Sequence, residues 1–384
     1  MAETPNTPQV ETGAAASGDG ARIWTIRDML QWCEGYLRRH GDPDPRGSAQ
    51  WLVEHAVGLS KIELYLDMER ALNASELDFL RDTVRRRAKG EPLQYLTGTA
   101  PFRFITVEVR PGVLIPRPET EVLVSELLDM LPKRQRRIAL DSHTEDEMEE
   151  LLAACAEKLQ AASDAAEPAA NRAAETAEGE GANDGAPASE PEAQESLLQV
   201  VEIGTGSGCI ACSIATERPD IQVTATDISP IAVDLARSNA QRLGVADRVS
   251  VIECDLGDGI VPEALGTFDA LISNPPYIPT AVYEGLDVEV HDYEPKLALD
   301  GGPDGLDFYR RLLPFALRAL KAGGAFAVEL HEDCLDAAKE LTEQAGFVHV
   351  GIVQDLNGKP RVIKARKPAV EAVPMYGAAQ ESKE

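Results

Sequence analysis

Hydrophobic residues recur every three or four positions along the first part of the chain, from residue 22 to residue 92. That spacing is the period of amphipathic helices that bury one face. The three stripes are Ile26, Met29, Leu30, Cys33 and Leu37; Trp51, Leu52, His55, Ala56 and Leu59; and Leu77, Leu80 and Val84. We therefore predict an all-helical N-terminal domain over 22–92, with Ser75 capping its last helix and His55 packed in its core.

The last stripe ends in a basic run that contains Arg85, Arg86, Arg87 and Lys89. Cations at this end of a helix interact favourably with the macrodipole. A solvated helix end explains the run, and a contact to an acidic partner or to RNA is the alternative.

The hydrophobic period changes from helical to alternating in the stretch 100–115. The apolar positions there are Phe102, Phe104, Ile105, Val107 and Val109. Such alternation predicts a small hairpin, and we assign 93–132 to this hairpin and a linker. From 197 onward strand and helix patterns alternate, which predicts a domain over 197–366 with a parallel sheet and helices on both faces.

An acidic segment at 133–196 separates these two regions. Between Asp141 and Glu195 there are 16 acidic and two basic residues, so this stretch carries half of the chain's net charge of −28. From Ala162 to Ser196 no large hydrophobic residue occurs, and such a composition cannot offset the entropy of ordering. We predict a mostly disordered insertion that acts as a solvated spacer; a docking tail for a basic partner is the alternative.

A short helix is predicted inside this insertion, because Thr144 and Glu147 form a possible capping box. Apolar residues then follow at helical spacing: Met148, Leu152, Cys155 and Leu159. The two ends of the chain, 1–21 and 367–384, are predicted to be disordered tails.

Composition narrows the functional classes. The chain has 384 residues, with 37 Lys and Arg against 65 Asp and Glu. A protein that grips nucleic acid phosphates usually carries the opposite charge. The first 20 residues lack a signal-peptide pattern, no apolar run approaches the roughly 20 residues of a membrane span, and six cysteines are too few for a disulfide scaffold. We expect a cytoplasmic enzyme.

A glycine-rich loop marks the first candidate site. An apolar strand at 197–203 runs into Gly204-Thr205-Gly206-Ser207-Gly208 and then into a helix of small residues. Glycines let the backbone turn tightly and approach a ligand. The next two strands end at Asp227 and Asp255, and an acidic strand end of this kind can bind the hydroxyls of a ribose.

The spacing of the glycines and the charge of the nearby residues indicate which nucleotide cofactor binds. A dinucleotide site usually has G-x-G-x-x-G and binds pyrophosphate, whereas this loop is G-x-G-x-G and is preceded by Glu202. Carboxylates at Glu202, Asp227 and Asp255 repel pyrophosphate but suit the cationic S-adenosylmethionine. The sequence therefore favours S-adenosylmethionine over NAD as the cofactor.

A CxxC pair, Cys209 and Cys212, follows the glycine loop, and such a pair can bind zinc or carry out redox chemistry. A single pair on a helical stretch lacks the second pair that a zinc site needs. We interpret the two cysteines as small residues that pack a helix on the sheet, and we predict no metal site.

The second candidate site is Asn274-Pro275-Pro276-Tyr277, which follows the strand 268–273. Proline has no N–H, so this turn presents acceptors. The Asn274 side-chain oxygen and the Pro275 backbone oxygen can together hold a planar NH₂ group, and Tyr277 offers a face for stacking. A plain Pro-Pro-Tyr turn is the alternative.

Three further stretches carry a more specific resemblance: GEPLQYLTG (90–98), LIPRPETE (114–121) and EPKLALDGGPDGLDFYR (294–310). With the glycine loop and NPPY, they resemble the release factor glutamine methyltransferases of the HemK type, which are class I methyltransferases that act on NH₂ nitrogens. The resemblance runs from about residue 22 to about residue 366, except for the insertion.

The resemblance implies an α/β fold: a Rossmann-like class I methyltransferase sheet, a small N-terminal all-helical domain and a β-hairpin linker. It implies methyl transfer from S-adenosylmethionine to the glutamine amide in the Gly-Gly-Gln loop of class I peptide-chain release factors, in support of translation termination. The helical domain at 22–92 would dock the body of the release factor. Neither a membrane nor a nucleic acid substrate is expected.

Carried over by motif, the resemblance implies a binding site for each part of the cofactor. The methionine end would lie against Gly204, Gly206 and Gly208, the ribose at Asp227, and the adenine near Asp255 and Leu256. The full predicted cofactor set is Glu202, Gly204, Thr205, Gly206, Ser207, Gly208, Asp227, Asp255, Leu256 and Asn274.

The acceptor amide would be bound by Asn274, Pro275, Pro276 and Tyr277. Asn274 and Pro275 would be catalytic, because they hold both N–H groups and aim the nitrogen lone pair at the methyl group for direct in-line transfer. No general base is required before the transfer. Arg117 and Glu119 of LIPRPETE either line the pocket or form an ordinary linker salt bridge.

The chain departs from the family pattern in three places. The insertion replaces a short linker, Leu256 stands where an aromatic residue would cover the adenine, and VELHEDC (328–334) lacks an expected glycine. Two other functions remain open: a DNA adenine-N6 methyltransferase, since adenine also offers a planar NH₂, and a non-catalytic protein that binds S-adenosylmethionine. The absence of a basic target-recognition region argues against the first, and the intact motifs argue against the second.

Overall fold

A computed structural model describes residues 23–133 and 197–369. The predicted helix around Thr144, nearly all of the predicted insertion, the tail 1–21 and the stretch 370–384 lie outside the described residues. No helix in the described ranges combines the length and hydrophobicity that a bilayer crossing needs.

The N-terminal part is helical, as predicted. Its helices are α1 (Ile26–Arg39), α2 (Pro45–Val57), α3 (Lys61–Leu66) and α4 (Ala74–Arg87). Residues of the predicted stripes form a common core that includes Ile26, Met29, Cys33, Leu37, Leu52, Leu80 and Val84. These helices form because their apolar positions share one face and their first turns are capped by side chains.

Two details of this domain correct the sequence prediction. The helix α4 is capped by Asn73, not Ser75, in a capping box with Glu76. In α2 the buried face is Ser48, Ala49, Leu52 and Val53, so His55 is exposed and only its ring face packs on Phe79, with 5.4 Å between ring centroids. Asn73 is the cap because the helix begins at Ala74, two residues earlier than a Ser75 cap implies.

The basic end of α4 is partly used inside the protein. Arg87 is buried and its guanidinium pairs with Asp42 at 2.7 Å and with Glu289 at 2.8 Å. Arg85 and Lys89 are exposed. The solvated interpretation therefore applies to these two residues but not to Arg87, which links the helical domain to the domain at 197–366.

The predicted hairpin follows a short helix, α5 (Leu93–Thr97), and consists of β1 (Thr99–Phe102) and β2 (Ile105–Glu108). The strands pair antiparallel around a two-residue turn at Arg103 and Phe104. Phe104 is 79 % exposed, so it belongs to the turn and not to the buried face.

The domain predicted over 197–366 contains a seven-stranded sheet. Its strands are β3 (Leu198–Ile203), β4 (Ile221–Asp227), β5 (Val249–Glu253), β6 (Phe268–Ser273), β7 (Leu320–Glu329), β8 (Val348–Gln354) and β9 (Pro360–Arg366). The spatial order is β5-β4-β3-β6-β7-β9-β8. The strands β3 to β7 are parallel, while β9 runs antiparallel to both of its neighbours, so the sheet is mixed and not wholly parallel as predicted.

Helices cover both faces of the sheet because its central strands are apolar on both sides. Val200 and Ala270 face a core built with α6 (Thr120–Met130), α7 (Cys209–Glu217) and α8 (Pro230–Arg242). The alternate positions Val201 and Leu271 face a second core built with α11 (Asp307–Ala319) and α12 (Leu335–Gln344). Two short helices, α9 (Thr280–Tyr283) and α10 (Val288–His291), lie in the connection after β6.

The CxxC pair lies on α7 in the core of the domain. Both cysteines are buried, and burial raises the pKa of the Cys212 thiol to about 12. The packing interpretation of the pair is confirmed. Among the described residues no group of three or more His, Cys, Asp or Glu side chains is arranged to hold a metal ion.

The chain order reverses direction at β3, since β4 and β5 lie on one side of it and β6 on the other. In open α/β sheets ligands bind in the crevice beyond the carboxyl ends of the strands at such a point. The glycine loop after β3 and the NPPY turn after β6 both lie at this crevice.

Candidate active site

A cavity of about 260 Å³ opens at the carboxyl ends of β3, β4, β5 and β6. Its lining includes Gly204 and Gly206 of the glycine loop, Asp227, and Asn274 of the NPPY turn. The strand ends meet here because parallel neighbours deliver their last residues to the same edge.

The carboxylate of Asp227 lies in this cavity and is held in place by two backbone N–H groups. The Gly206 N–H donates to its Oδ2 and the Ser229 N–H donates to its Oδ1, both at 2.9 Å. Burial raises the pKa of the Asp227 carboxyl above its ordinary value, although these N–H groups counter the effect. Each oxygen keeps a second lone pair, so the carboxylate can still accept from two neighbouring hydroxyls.

Glu202 lies beneath the glycine loop and is fully buried. The Thr205 hydroxyl donates to its Oε2 at 2.8 Å, while its Oε1 has no hydrogen-bond partner among the described residues. Burial raises the pKa of Glu202 to about 8, and the charge of Asp227 contributes in the same direction. A cation in the adjoining cavity would favour the charged form of both carboxyls, so these residues fit a positively charged ligand.

The rest of the glycine loop supports the site from below. Thr205, Ser207 and Gly208 are not part of the cavity lining. A Cβ at Gly208 would lie 3.0 Å from the Ala236 Cβ and 3.1 Å from its Cα, so the absent side chain allows α8 to pack against the loop. Asn239 of α8 donates to the Ser207 carbonyl at 2.9 Å and to the Glu108 carbonyl at 3.0 Å, which ties the loop to the hairpin.

Asp255 and Leu256 line the cavity just beyond the end of β5. Asp255 accepts from Arg311 at 2.6 Å, and Leu256 has a φ of 51° with its carbonyl accepting from the Thr226 hydroxyl at 2.6 Å. Phe308 of α11 also lines this region. An aromatic ring therefore does border this end of the cavity, but it comes from α11 and not from the position after Asp255.

A second cavity, of about 310 Å³, adjoins the first. The two share Leu114, Asn274 and Ala298 in their linings. The polar residues of the second cavity are Arg117, Glu119, Asn274, Tyr277, Glu329 and Arg361. Asn274 thus lies where the two cavities meet.

The Asn274 side chain is oriented by a neighbour from α6. Its Nδ2 donates to the Thr120 Oγ1 at 3.0 Å. This bond uses one of the two N–H groups of the amide and sets its orientation, and the side-chain oxygen can accept from a ligand. Nearby, the Tyr277 hydroxyl donates to Glu329 at 3.0 Å, which fixes the tyrosine ring in the wall of the second cavity.

The loop of the EPKLALDGGPDGLDFYR stretch packs directly on the NPPY backbone. A Cβ at Gly301 would lie 2.7 Å from the Tyr277 Cα and 2.8 Å from the Pro276 carbonyl oxygen. Contacts this short do not occur for a real Cβ. Gly301 is required here so that the two backbones can approach each other.

Comparisons with known proteins agree with this architecture. Residues 28–98 match a family model described as the PrmC N-terminal domain, and residues 191–285 match one described as the methyltransferase small domain. The chain is 37 % identical to a release factor glutamine methyltransferase of Geobacter sulfurreducens over 346 residues, which are 90 % of this chain and 97 % of the relative.

The chain belongs to the release factor glutamine methyltransferase family. A member from Rhodopirellula baltica is 33 % identical over 345 residues, covering 90 % of this chain and 97 % of the relative. Among solved structures, a methyltransferase from Pyrococcus furiosus is 25 % identical, with a TM-score of 0.34, over 45 % of this chain and 76 % of that one. The resemblance stated from the sequence, and the Rossmann-like α/β fold that it implied, are confirmed.

In this member of the family, most of the site residues predicted from the sequence line one of the two cavities. The first cavity is lined by Gly204, Gly206, Asp227, Asp255, Leu256, Asn274 and Pro276, and the second by Asn274 and Tyr277. Glu202, just before the glycine loop, and Thr205, Ser207 and Gly208 within it lie outside both linings. Pro275 is buried and lines neither cavity, so its backbone oxygen as a ligand remains a prediction.

Several lining residues were not predicted from the sequence. They are Gly112, Val113 and Leu114 of the linker, Phe308 and Arg311 of α11, and Glu329 and Arg361 near the second cavity. Phe308 lies inside one of the family-like stretches, and Glu329 lies inside the divergent VELHEDC, so both had a sequence signal. Arg117 and Glu119 do line the second cavity, and Arg117 also pairs with the buried Glu294.

We expect Asp227→Ala to weaken the binding of S-adenosylmethionine by about 10- to 100-fold. The reason is that a carboxylate accepting two hydrogen bonds from ligand hydroxyls contributes about 1.5–3 kcal/mol. Calorimetric titration of the folded variant measures the effect, with Asp247→Ala, a change at an exposed residue after α8, as the control. Unchanged affinity of Asp227→Ala would remove this residue from the site.

Proposed function

We propose that this protein transfers a methyl group from S-adenosylmethionine to the side-chain amide nitrogen of the glutamine in the Gly-Gly-Gln motif of class I release factors. The observation that carries the proposal is the position of Asn274, which lines both a carboxylate-bordered nucleotide-sized cavity and a second cavity for an acceptor. Membership of the family supports the same activity. A cytoplasmic location fits a substrate that acts in translation.

S-adenosylmethionine, when bound, supplies an electrophilic methyl group. Asp227 would hold its ribose, the Gly204–Gly206 backbone would contact the methionine end, and Phe308 with Leu256 would border the adenine. Glu202 would act on the methionine end through its charge, from behind the glycine loop. The orphaned Oε1 of Glu202 and the raised pKa of both carboxyls support this assignment, because they fit a cationic ligand.

The second cavity is the proposed binding site for the substrate glutamine. The Asn274 oxygen accepts from the NH₂ of the substrate glutamine, and Tyr277 stacks against the side chain. Holding the nitrogen in line with the methyl group replaces a random encounter by a fixed geometry, and such positioning can supply about 7–11 kcal/mol.

The helical domain is proposed to dock the body of the release factor. None of its described residues lines either cavity. Its Arg87 pairs with Glu289 of α10, and Val290 of the same helix lines the acceptor cavity. A protein bound to the helical domain would therefore present its loop close to the acceptor cavity.

Mass spectrometry of a release factor after incubation with the protein and S-adenosylmethionine tests the proposal. We expect one added methyl group on the peptide with the Gly-Gly-Gln motif. A release factor with glutamate in place of that glutamine should gain none, since a carboxylate has no N–H to donate to Asn274.

Two outcomes contradict the proposal. Labelling of duplex DNA at a rate that matches labelling of the release factor would establish the adenine-N6 function instead. Binding of S-adenosylmethionine without transfer to any release factor would favour the non-catalytic alternative.

A further inference from the structure

Glu329 and Asn274 leave neighbouring strands side by side. Ser273 of β6 is paired with Val328 of β7, and the next residue of each strand is Asn274 or Glu329. Both side chains line the acceptor cavity. Glu329 therefore borders the same cavity as Asn274, which is proposed to hold the acceptor amide.

The Glu329 carboxyl is buried but incompletely bonded. The side chain is 1 % exposed, and its Oε1 accepts from the Tyr277 hydroxyl at 3.0 Å. Its Oε2 has no hydrogen-bond partner among the described residues. A buried carboxyl oxygen without a donor costs free energy in the empty site, and this cost is removed when a substrate N–H supplies the donor.

Two charged side chains and two hydroxyls surround this carboxyl. Burial raises the pKa of Glu329, and Glu119 before α6 acts in the same direction. The hydroxyls of Thr120 and Tyr277, and the Arg361 guanidinium of β9, act in the opposite direction. The Arg361 guanidinium favours the charged form of Glu329, while burial makes the carboxylate a stronger base than an exposed glutamate.

We propose that Glu329 is a catalytic residue that stabilises the positive charge which develops on the acceptor nitrogen and then takes the proton from it. This inference rests on the proposed function and deepens it, since it concerns the same acceptor amide. Asn274 positions the nitrogen, and Glu329 balances its charge.

In the proposed reaction the acceptor nitrogen gains the methyl group and then loses one proton. The amide nitrogen forms a bond to the methyl carbon as the carbon–sulfur bond breaks, and the electron pair of that bond stays on sulfur. The nitrogen is then cationic and carries two hydrogens. One N–H bond breaks, the proton goes to Oε2 of Glu329, and the electron pair returns to the nitrogen and restores amide conjugation. Glu329 later loses this proton to water.

The other titratable groups of the cavity are poorer acceptors. Arg117 and Arg361 are cations, and they do not accept protons. The Tyr277 hydroxyl donates to Glu329, and burial raises its pKa well above the ordinary value, so it stays protonated. Glu119 is partly exposed and so is more readily solvated by water. Glu329 alone among these groups combines burial with an unbonded oxygen.

The test compares Glu329→Gln with the wild type in single-turnover methylation of a release factor. Glutamine keeps the size and can still accept from Tyr277, but it cannot take a proton. We expect the rate to fall about 100-fold, within the range of general base effects, while Kd for S-adenosylmethionine and the melting temperature change little. Asp269→Asn, which removes a buried carboxyl at the opposite end of β6, controls for the loss of a buried charge.

The pH profile separates proton transfer from positioning. Because burial raises the pKa of Glu329 above the ordinary value of a glutamate, the wild-type rate should fall as the pH drops through that raised pKa. Glu329→Gln should lack this acidic limb, and Glu329→Asp should keep it at a lower rate.

Each other outcome overturns the inference in a recognisable way. A Glu329→Gln rate within threefold of the wild type shows that the carboxylate is not needed. A slow variant that keeps the acidic limb shows that Glu329 only positions Tyr277. If wild-type protein transfers no methyl group to the release factor, the proposed function fails and this inference fails with it, whereas wild-type transfer with an unaffected variant overturns this inference alone.

Discussion

Asn274→Ala is expected to lower the single-turnover rate of methyl transfer by about 1000-fold, while Kd for S-adenosylmethionine stays within about threefold. Groups that stabilise the transition state from a fixed position contribute factors of about 100 to 1000 in rate. We expect Asn274 to reach this limit because, in the proposed function, its oxygen holds the reacting nitrogen itself. An interaction made mainly in the transition state affects the rate more than ground-state binding.

The orientation of Asn274 makes this expectation specific. Its Nδ2 donates to Thr120 at 3.0 Å, so the side chain is fixed by α6 before any substrate arrives. Rapid-quench measurements with saturating cofactor give the rate, and calorimetry gives the cofactor affinity. Asn357→Ala, a change at an exposed residue between β8 and β9, is the control. A rate for Asn274→Ala within tenfold of the wild type would show that the acceptor amide is held elsewhere.

Gly301→Ala is expected to lower the rate by roughly 100-fold or more without unfolding the protein. The added Cβ would lie 2.7 Å from the Tyr277 Cα and 2.8 Å from the Pro276 carbonyl oxygen, both of them backbone atoms that cannot rotate away. The NPPY turn must therefore shift, and a displacement of about 1 Å at reacting groups can cost about 100-fold in rate.

The same methylation assay measures this variant, and circular dichroism and the melting temperature verify its fold. Gly351→Ala on β8 is the matched control, because a Cβ there would meet only the Lys364 side chain, at 3.8 Å. Equal rates for Gly301→Ala and Gly351→Ala would show that the EPKLALDGGPDGLDFYR loop does not set the position of NPPY.

Local patterns were sufficient for the elements that carry the main motifs. The alternation of strand and helix patterns over 197–273 predicted the strands whose ends hold Gly204, Asp227 and Asn274. A strand that is buried on both faces has an apolar run, and this run ends abruptly at a polar residue or a glycine. The helical stripe from Ile26 to Leu37 was equally clear, since its buried residues share one face of α1. In α2 the buried face includes Ser48 and Ala49, which are too small to mark it, and His55 was therefore misplaced.

The sequence by itself determined the family, the helical domain, the hairpin and the strand ends that meet at the cofactor cavity. The reason is that glycine conformations, proline restrictions and hydrophobic periods act over a few neighbouring residues. Only the tertiary structure decided that Glu329 lies beside Asn274 and that Phe308 borders the cofactor cavity. Those contacts join residues more than 50 positions apart, and they depend on the order of the strands in the sheet, which no local pattern encodes.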